Sequence, residues 1–360
     1  MKVAVRVDAS SAMGSGHIIR CRTLALKLKQ RGVKVLFICR EHHGNLITLI
    51  EKDGFEVRPL ASPSIVASTG DSYAAWLGVS QEKDAQESIK TLFDFRPDLL
   101  IVDHYSLSAS WEMLLRPYVG RIMVIDDLNN RSHDCDFLLD QNLSASKERY
   151  DALIPSQCQC FLGPSYALLA DEYMQLRQQE TAYSSKLNKV LVYFGGVDPD
   201  NLSSMALKAL SDAKFEDVEV CIVVGANNPP HKQELLRQAQ LRPNTVVLEP
   251  QKSLSNLMSD TDLMIGAGGA TSWERLCLGV PSVIVSVAEN QEFISKALDE
   301  LGLAIHLGVS NQVVEQDFFA AVSEFALQPD KLFNMSVEGQ RVVDGLGCDR
   351  VADVLMEVCA

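Results

Sequence analysis

The stretch TDLMIGAGGATSWERLCLGVPSVIV, residues 261–285, contains an apolar run, a glycine-rich loop, a helical pattern and a second apolar run. This order predicts a strand, a loop, a helix and a further strand of a parallel sheet. Glycines in the loop remove side chains where the backbone approaches a ligand, and the free N–H groups at the start of the helix suit a pyrophosphate. The residues of this predicted diphosphate site are Gly268, Gly269, Ala270 and Thr271.

Polar side chains near this loop suit the rest of a nucleotide sugar. Glu274 lies one turn into the helix, where a carboxylate can accept hydrogen bonds from both ribose hydroxyls, although a favourable position in the helix dipole or a capping role also explains it. Asn290 and Gln291 follow the next strand at a strand-to-helix turn. They can contact hydroxyl or acetamido groups of a sugar, and an ordinary asparagine helix cap is an equal alternative.

The same alternation of apolar runs and amphipathic stretches continues along all 360 residues. It predicts parallel strands covered by helices on both faces. The predicted strands are KVAVRVD, VKVLFIC, DLLIVD and RIMVIDD in the first half, and NKVLVYFGG, VEVCIVVG, TVVLEP, TDLMIGAGG and VPSVIVSV in the second. We therefore predict an α/β chain of two Rossmann-like domains whose parallel sheets face across a cleft.

The length and the pattern divide the chain into four parts. We expect an N-terminal domain over residues 1–165, a connector over 166–187, a nucleotide-binding domain over 188–335 and a C-terminal helical segment over 336–360.

Further glycine-rich loops follow predicted strands of the second half. Gly195 and Gly196 lie in FGGVDP, and Gly225 lies in VVGANNPPH, whose backbone can meet a base edge or form an ordinary turn. Ligands of open α/β sheets bind outside the carboxyl ends of strands. Of the three segments SSAMGSG, FGGVDP and GAGGATS, two belong to the second half, so we expect the nucleotide mainly there.

The glycine-rich segment of the first half, MGSGHIIRC, carries a histidine. Ile19 occupies the place of the third glycine in a dinucleotide fingerprint, so NAD binding is disfavoured. His17 is expected at the first turn of a helix, where the positive end of the dipole disfavours the imidazolium and keeps the ring available as a general base. A helix cap or a hydrogen bond to phosphate explains His17 equally well.

The run LLIVDHYSL places Asp103, His104 and Tyr105 at the carboxyl end of a strand, on the same rim as His17. Alternation puts Asp103 and Tyr105 on one side and His104 on the other. Tyr105 can hydrogen-bond to His17 or to water. Asp103 can orient His17, bind a hydroxyl or cap the following loop.

Two other pairs of side chains carry weaker signals. Asp126 and Asp127 end a neighbouring strand, and they can act in the same ways as Asp103. His42 and His43 lie in a polar loop, where we expect both to be solvated.

Composition excludes several classes of function. The formal net charge of −14 argues against nucleic acid and anionic membranes as partners. No run of 18 apolar residues and no signal peptide is evident, and the nine scattered cysteines indicate reduced thiols, so we expect a cytoplasmic protein. No cysteine or histidine pairs have metal spacing, so no metal or other cofactor is expected.

The segments VRVDASSAMGSGHIIRCRTLA, WLGVSQEKDA, LIVDHY and GAGGATSWE, with the later GVP and NQ, resemble one family along nearly the whole chain. They are similar to the UDP-2,4-diacetamido-2,4,6-trideoxy-β-L-altropyranose hydrolases of pseudaminic acid biosynthesis. The second half is also similar to the UDP-N-acetylglucosamine transferase of peptidoglycan synthesis. Both resemblances imply the GT-B architecture.

The hydrolase resemblance implies a role for each candidate residue. His17 would be the general base that activates water, with Tyr105 and Asp103 in support. Gly14 and Gly16 would leave room for the sugar and water, and the last helix, CDRVADVLMEVC, would pack back on the first domain. The UDP contacts would be Gly195, Gly196, Gly225, Gly268, Gly269, Ala270, Thr271 and Glu274, and the sugar contacts would include Asn290 and Gln291. A basic residue is expected after YALL, where this chain has Ala170 and Asp171.

The chemistry of a UDP-sugar agrees with a single base. UDP leaves as a stable anion, so no acid is needed, and direct attack by water inverts the anomeric centre without a metal. The alternatives are a GT-B glycosyltransferase with a UDP-N-acetylhexosamine donor, a sugar epimerase, and a non-catalytic nucleotide-sugar binding protein. We expect a monomer that serves flagellin glycosylation or a surface polysaccharide.

Overall fold

The computed structural model describes residues 1–63, 72–179, 186–225 and 229–359. The chain divides into two compact units, Met1–Leu169 with Leu346–Ala360, and Ala170–Gly345. Each unit contains a sheet of parallel strands with helices between them. The predicted α/β class with two parallel sheets is therefore confirmed.

The first unit has a sheet of seven described strands in the order β3-β2-β1-β4-β5-β6-β7. The strands are Lys2–Val7 (β1), Lys34–Arg40 (β2), Glu56–Leu60 (β3), Leu99–Asp103 (β4), Arg121–Ile125 (β5), Phe137–Asp140 (β6) and Gln159–Leu162 (β7). The α-helices between them are Gly16–Gln30 (α1), Ile47–Lys52 (α2), Gln81–Leu92 (α3), Ala109–Leu115 (α4) and Lys147–Tyr150 (α5). Short 3₁₀ helices are Tyr73–Leu77, Arg116–Tyr118 and Pro164–Tyr166.

The second unit has a sheet of six described strands in the order β10-β9-β8-β11-β12-β13. The strands are Lys189–Tyr193 (β8), Glu219–Val223 (β9), Thr245–Leu248 (β10), Leu263–Ala267 (β11), Ser282–Ser286 (β12) and Ile305–Val309 (β13). The helices are Asp171–Arg177 (α6), Leu202–Leu210 (α7), Pro229–Leu241 (α8), Ser255–Ser259 (α9), Thr271–Leu278 (α10), Glu289–Glu300 (α11), Glu315–Leu327 (α12) and Pro329–Val342 (α13), with a 3₁₀ helix at Ala213–Phe215.

The last helix, Gly347–Cys359 (α14), belongs to the first unit. Its Asp349 accepts hydrogen bonds from Lys27 and Arg31 of α1, and Val351 and Leu355 enter the same apolar cluster as α1. Residues 336–345 remain in the second unit because α13 continues to Val342 and packs on α10. The segment that returns to the first unit thus starts at residue 346, ten residues later than the boundary we expected. Within the predicted connector, residues 180–185 lie outside the described part of the chain.

The sheet order places the candidate residues of the first unit at one point. Strand order reverses between β1 and β4, and ligand sites of open α/β sheets lie outside the carboxyl ends of strands at such a reversal. His17 follows β1, and Asp103 ends β4. In the second unit the reversal lies between β8 and β11, which the loops with Gly195 and Gly268 follow.

A buried network of charges fixes the ends of the strands next to this reversal of strand order. Arg6 donates to Asp8 (Nη1–Oδ1 2.5 Å) and to Asp84 of α3 (Nη2–Oδ2 2.7 Å). Arg40 of β2 also donates to Asp84 (2.7 Å), as does the indole of Trp111 in α4 (3.0 Å). All five side chains are buried, so each charge depends on its partners.

Two histidines face this network. His42 Nε2 and His104 Nε2 lie 3.4 and 3.3 Å from Asp8 Oδ2. The expectation that His42 is solvated was therefore wrong, because the loop after β2 folds over Asp8, whereas His43 is exposed. Burial lowers the pKa of His104.

We predict that Asp84→Asn destabilises the first unit by about 3–5 kcal/mol, because it leaves two buried guanidinium groups short of a negative partner. Urea unfolding followed by circular dichroism measures the change. Asp94→Asn is the matched control, since Asp94 pairs with Arg58 while 71% of its side chain is exposed. Equal stability of the two variants would contradict the importance of the buried network.

Candidate active site

A buried carboxylate holds the candidate base of the first unit. His17 is the second residue of α1, and its Nδ1 lies 2.6 Å from Asp103 Oδ1. Arg20, three residues on, donates to both oxygens of Asp103 (Nε–Oδ2 2.6 Å and Nη2–Oδ1 2.7 Å). Cys21 Sγ also contacts Oδ2 at 3.4 Å. One carboxylate therefore fixes three side chains in the first turns of α1.

The charge of Asp103 assigns the proton on His17. Burial alone raises the pKa of Asp103, but Arg20 and His17 outweigh it and hold that pKa below its ordinary value. An ionised carboxylate only accepts hydrogen bonds, so Nδ1 of His17 carries the proton that is donated to it. Nε2 of the neutral ring then has the lone pair that a general base needs.

Arg20 extends the arrangement to Asp127 and Tyr105. Its Nη1 donates to Asp127 Oδ2 at 2.8 Å, and the hydroxyl of Tyr105 donates to Asp127 Oδ1 at 2.6 Å. The ring of Tyr105 meets His17 edge-on, with 4.5 Å between ring centroids. The structure thus brings Asp103 and Tyr105 to His17, but it directs the Tyr105 hydroxyl to Asp127 and the Tyr105 ring to the imidazole.

Other acidic residues at this edge have different partners. Asp126 pairs with Arg131 at 2.7 Å. Asp140, at the end of β6, accepts hydrogen bonds from the Tyr150 hydroxyl and the Asn142 amide, both at 3.0 Å. Burial raises the pKa of Asp140 to about 7. Neither residue contacts His17 through a described hydrogen bond.

Gly14 and Gly16 lie in open positions before and at the start of α1. A Cβ at either residue would meet no atom within 4 Å, and the φ of Gly14 is +76°, which favours glycine. Neither glycine is required by a protein contact, so the expected clearance for sugar and water stays a prediction.

The glycine loop of the second unit lies directly before α10, which begins at Thr271. Its glycines are required by protein contacts: a Cβ on Gly266 would lie 2.3 Å from the Tyr193 carbonyl, and one on Gly268 would lie 2.0 Å from Ser295 Oγ. Contacts with these protein atoms are thus a reason for glycine at both positions, and clearance for a ligand is not the only one.

The first-turn backbone of α10 is accessible. Gly269 and Thr271 are partly exposed, and Ala270, the N-cap, is exposed. The Ser272 and Trp273 amides donate to the Gly269 and Ala270 carbonyls (2.9 and 3.2 Å), so the amides that can meet an anion at this helix start are those of Gly269, Ala270 and Thr271. Arg275 is buried within the same helix and donates to the Ala267 carbonyl (3.1 Å) and Ser272 Oγ (2.7 Å).

Glu274 lies in the first turn of α10. Removal from water raises its pKa to about 7, and the hydroxyl of Tyr173 in α6 hydrogen-bonds to it. Burial, together with the nearby charge of Glu274, raises the pKa of Tyr193 to about 12.

Asn290 and Gln291 occupy the first turn of α11, where the N-cap is Ala288. The asparagine-cap alternative for Asn290 is therefore wrong. Gln291 Oε1 accepts from the Val287 amide at 3.1 Å, and its Nε2 lies 3.2 Å from where a Cβ of Gly269 would be. The Gln291 side chain thus braces the glycine loop.

Gly195, Gly196 and Gly225 lie together at the ends of β8 and β9. A Cβ on Gly225 would lie 2.4 Å from the Gly195 carbonyl and 2.5 Å from that of Gly196, whereas Gly195 and Gly196 themselves face open space. Residues 226–228 of the following loop lie outside the described part of the chain.

Among residues 1–63, 72–179, 186–225 and 229–359, no three His, Cys, Asp or Glu side chains lie close enough together to hold a metal ion. Within the same ranges, no helix has the length and apolar character to cross a bilayer.

Comparison with known proteins agrees with this architecture. Residues 190–345 match the glycosyltransferase family 28 C-terminal domain. The chain superimposes on the crystal structure of the glycotransferase of kitacinnamycin with a TM-score of 0.69 and 17% identity, covering 100% of this chain and 99% of that one. The chain has the GT-B fold.

Two curated relatives extend over most of this GT-B chain. One is the UDP-2,4-diacetamido-2,4,6-trideoxy-β-L-altropyranose hydrolase of Campylobacter jejuni, 28% identical over 85% of this chain and 98% of its own length. The other is the spore coat polysaccharide biosynthesis protein SpsG of Bacillus subtilis, 23% identical over 99% of this chain and 98% of its own. The resemblance to the hydrolases is confirmed.

Sequence reasoning missed three residues that contact the candidate base or its partners, namely Arg20, Tyr73 and Trp76, and it named Asp127 without its bond to Tyr105. A signal for Arg20 was present, since residues three apart on a helix share a face, so Arg20 follows His17 toward the same strand end. Tyr73 and Trp76 belong to a 3₁₀ helix that carries no periodic pattern.

We predict that Glu274→Gln removes part of the pH dependence of stability. Because the pKa of Glu274 is raised to about 7, the folded chain keeps a proton that the unfolded chain releases near pH 4.3. The contribution of this group to the free energy of unfolding is thus lost as the pH rises through about 7, by at most about 4 kcal/mol.

Urea unfolding of wild type and variant at about pH 5 and about pH 8 measures this difference. The wild type should lose more stability than Glu274→Gln between the two values. Glu289→Gln, an exposed carboxyl in the first turn of α11, should behave as the wild type. Parallel losses in wild type and Glu274→Gln would contradict the prediction.

Proposed function

We propose that the chain is an enzyme acting on UDP-sugars, and that it hydrolyses UDP-2,4-diacetamido-2,4,6-trideoxy-β-L-altropyranose to UDP and the free diacetamido sugar. The observation that carries the proposal is the hydrogen bond of 2.6 Å between His17 Nδ1 and a buried Asp103 whose two oxygens also bind Arg20. This arrangement leaves Nε2 as a base. The relative from Campylobacter jejuni supports the choice of substrate.

In the proposed reaction, water gives a proton to Nε2 of His17 while its oxygen forms a bond to the anomeric carbon. The bond from that carbon to the β-phosphate oxygen breaks, and the electron pair leaves with UDP, so the configuration inverts. The negative charge of Asp103 stabilises the imidazolium that forms. The Tyr105 ring, fixed through Asp127, holds the imidazole from the side.

We propose that the second unit binds UDP. Backbone amides at Gly269, Ala270 and Thr271 would hold the diphosphate, and they would stabilise the charge that develops on the leaving group. The Gly268 amide already donates to the Val285 carbonyl (3.0 Å), so Gly268 would only shape the loop. Glu274 would accept hydrogen bonds from the ribose.

The remaining contacts are assigned in the same way. Gly195, Gly196 and Gly225 would form the backbone surface beside the nucleotide. Asn290 and Gln291 would contact the sugar, Gln291 through Nε2, since its Oε1 already accepts from Val287. A metal-independent reaction, a monomer, a cytoplasmic location and a role in flagellin or surface glycans stay predictions.

A glycosyltransferase is the second candidate, because residues 190–345 match a glycosyltransferase domain. Incubation with the UDP-sugar alone separates the two. Release of UDP and free sugar in equal amounts without an acceptor supports the hydrolase, and release only with an acceptor supports the transferase.

We predict that His17→Ala lowers kcat by about 10²–10⁴-fold, the usual contribution of a positioned base, and leaves UDP affinity unchanged. Turnover is measured by UDP release and affinity by calorimetry. His43→Ala is the matched control, since His43 is an exposed histidine of the same unit. In ¹⁸O-labelled water the label should enter the sugar, and label in UDP or near-normal turnover of His17→Ala would refute the role of His17.

We predict that Asp103→Asn lowers kcat by roughly 10⁴-fold, the loss seen when the carboxylate of a serine-protease triad becomes an amide. The amide of Asn can donate to Nδ1, which then holds no proton, and the proton moves to Nε2 and blocks it. Asp103→Glu keeps the charge and should recover part of the activity.

The control for this variant is Asp53→Asn, because Asp53 also pairs with an arginine of α1, Arg22, outside the candidate site. It should keep the wild-type kcat and pH profile. A folded Asp103→Asn protein with wild-type kcat would show that the tautomer of His17 does not matter.

A further inference from the structure

Two aromatic rings lie beside the His17 imidazole, and a third packs against both of them. The Tyr105 centroid is 4.5 Å and the Trp76 centroid 6.4 Å from that of His17, both edge-on. Trp76 stacks on Tyr105 at 5.8 Å with 28° between the planes. Tyr73 meets Trp76 at 4.8 Å and Tyr105 at 5.0 Å. We name Tyr73, Trp76 and Tyr105 the aromatic wall.

The backbone holds this aromatic wall in place. Tyr73 and Trp76 belong to the 3₁₀ helix Tyr73–Leu77, which ends at Gly78 with φ of +67°. Leu77 is buried in the apolar cluster, and the Ser106 hydroxyl, next to Tyr105, donates to the Tyr73 carbonyl. The rings of Tyr73 and Trp76 remain partly exposed. The 3₁₀ helix is thus held by its backbone contacts, while the side chains of Tyr73 and Trp76 keep some surface that a ligand can reach.

The surroundings of His17 differ sharply from one side to the other. On one side, His17 Nδ1 donates to Asp103, which Arg20 holds in place, whereas the rings of the aromatic wall lie on the other. A sugar whose anomeric carbon lies one water molecule from Nε2 extends by a pyranose ring from that point. Its substituents therefore come within reach of rings whose centroids lie 4.5–6.4 Å from the imidazole. Such surfaces favour methyl and C–H groups over hydroxyl groups, which would lose their water there.

We propose that Tyr73 and Trp76 form a subsite for the apolar substituents of the sugar, and that they select a 6-deoxy, N-acetylated sugar over one with a hydroxyl at C6. The inference rests on the proposed function for its substrate. It assigns specificity to a segment of the first unit that takes no part in proton transfer.

The kinetic test compares two substrates, the UDP-diacetamido-trideoxy sugar and its counterpart with a hydroxyl at C6. Trp76→Ala should lower kcat/KM for the deoxy substrate by roughly 10–200-fold, the range expected for a lost methyl pocket, and should change the hydroxylated one far less. Trp76→Phe should retain most of the selectivity. The pH profile of kcat/KM should stay that of wild type, because the His17–Asp103 pair is untouched.

Phe93→Ala is the matched control, an aromatic residue of the same unit that is 74% exposed. It should leave both substrates unaffected. Equal losses for both substrates in Trp76→Ala, or an unchanged selectivity, would overturn the subsite.

A binding measurement separates this inference from the proposed function. The His17→Gln protein is mixed with the intact deoxy substrate, and saturation-transfer NMR records which ligand protons receive magnetisation from the aromatic protons of the protein. The C6 and acetyl methyl groups should respond strongly, and adding Trp76→Ala should abolish that response while the uracil response remains.

The outcomes are distinct. Methyl saturation with no hydrolysis by the wild type supports the subsite and refutes the hydrolase. Hydrolysis without methyl saturation, or saturation that survives Trp76→Ala, refutes the subsite and leaves the hydrolase standing.

Discussion

The Asp103 carboxylate, buried at the end of β4, is the group on which the candidate site depends. A buried charge persists only when it is paired and hydrogen-bonded, and here all of its partners come from the start of α1. Because the buried Asp103 carboxylate requires these hydrogen-bond partners, it fixes the first turns of α1 against the sheet. It orients His17, and through Arg20 it also sets the positions of Asp127 and Tyr105.

The same principle operates on the other face of the sheet. Residues of β1 alternate, so that Val5 and Val7 enter the cluster with α1 while Arg6 turns to α3 and binds Asp84. At the end of β4, Asp103 faces α1 and His104 faces Asp8. The strand ends at the point where the strand order reverses are thus held by charge pairs on both faces. Such pairs add little net stability, but they allow few other arrangements, and a base that must be placed within a fraction of an ångström benefits from that restriction.

Most of the strands and the edge of the sheet that carries the site could be predicted from the sequence. Long apolar strands are local signals, and ligand sites follow the carboxyl ends of such strands. The four strands predicted in the first half are present as β1, β2, β4 and β5, and the rim shared by His17 and Asp103 follows from parallel strands alone. The short strands β3, β6, β7 and β13 were missed, since EVRPL carries an arginine and a proline, and FLLD and QCFL have four residues each.

The errors share one cause, which is contact between distant segments. His42 reads as a loop histidine, but its burial depends on Asp8, 34 positions earlier. Gly268 reads as a ligand-facing glycine, but Ser295 of α11 determines why no side chain fits there. The Tyr105 hydroxyl finds Asp127 on the neighbouring strand end. None of these pairs has a spacing that a single sequence reveals.

The net charge of −14 sets a condition on how the second unit can bind an anion. Arg275, the buried cation nearest the glycine loop in α10, is turned to the Ala267 carbonyl and to Ser272, so it stabilises the loop from within. Under the proposed function, backbone N–H groups would then meet the diphosphate. Glu274 strengthens this argument: with a pKa raised to about 7, it is partly uncharged at neutral pH and repels an arriving diphosphate less than a full carboxylate would. Ribose hydroxyls that donate to Glu274 favour its charged form, so binding the nucleoside and releasing the proton become one event.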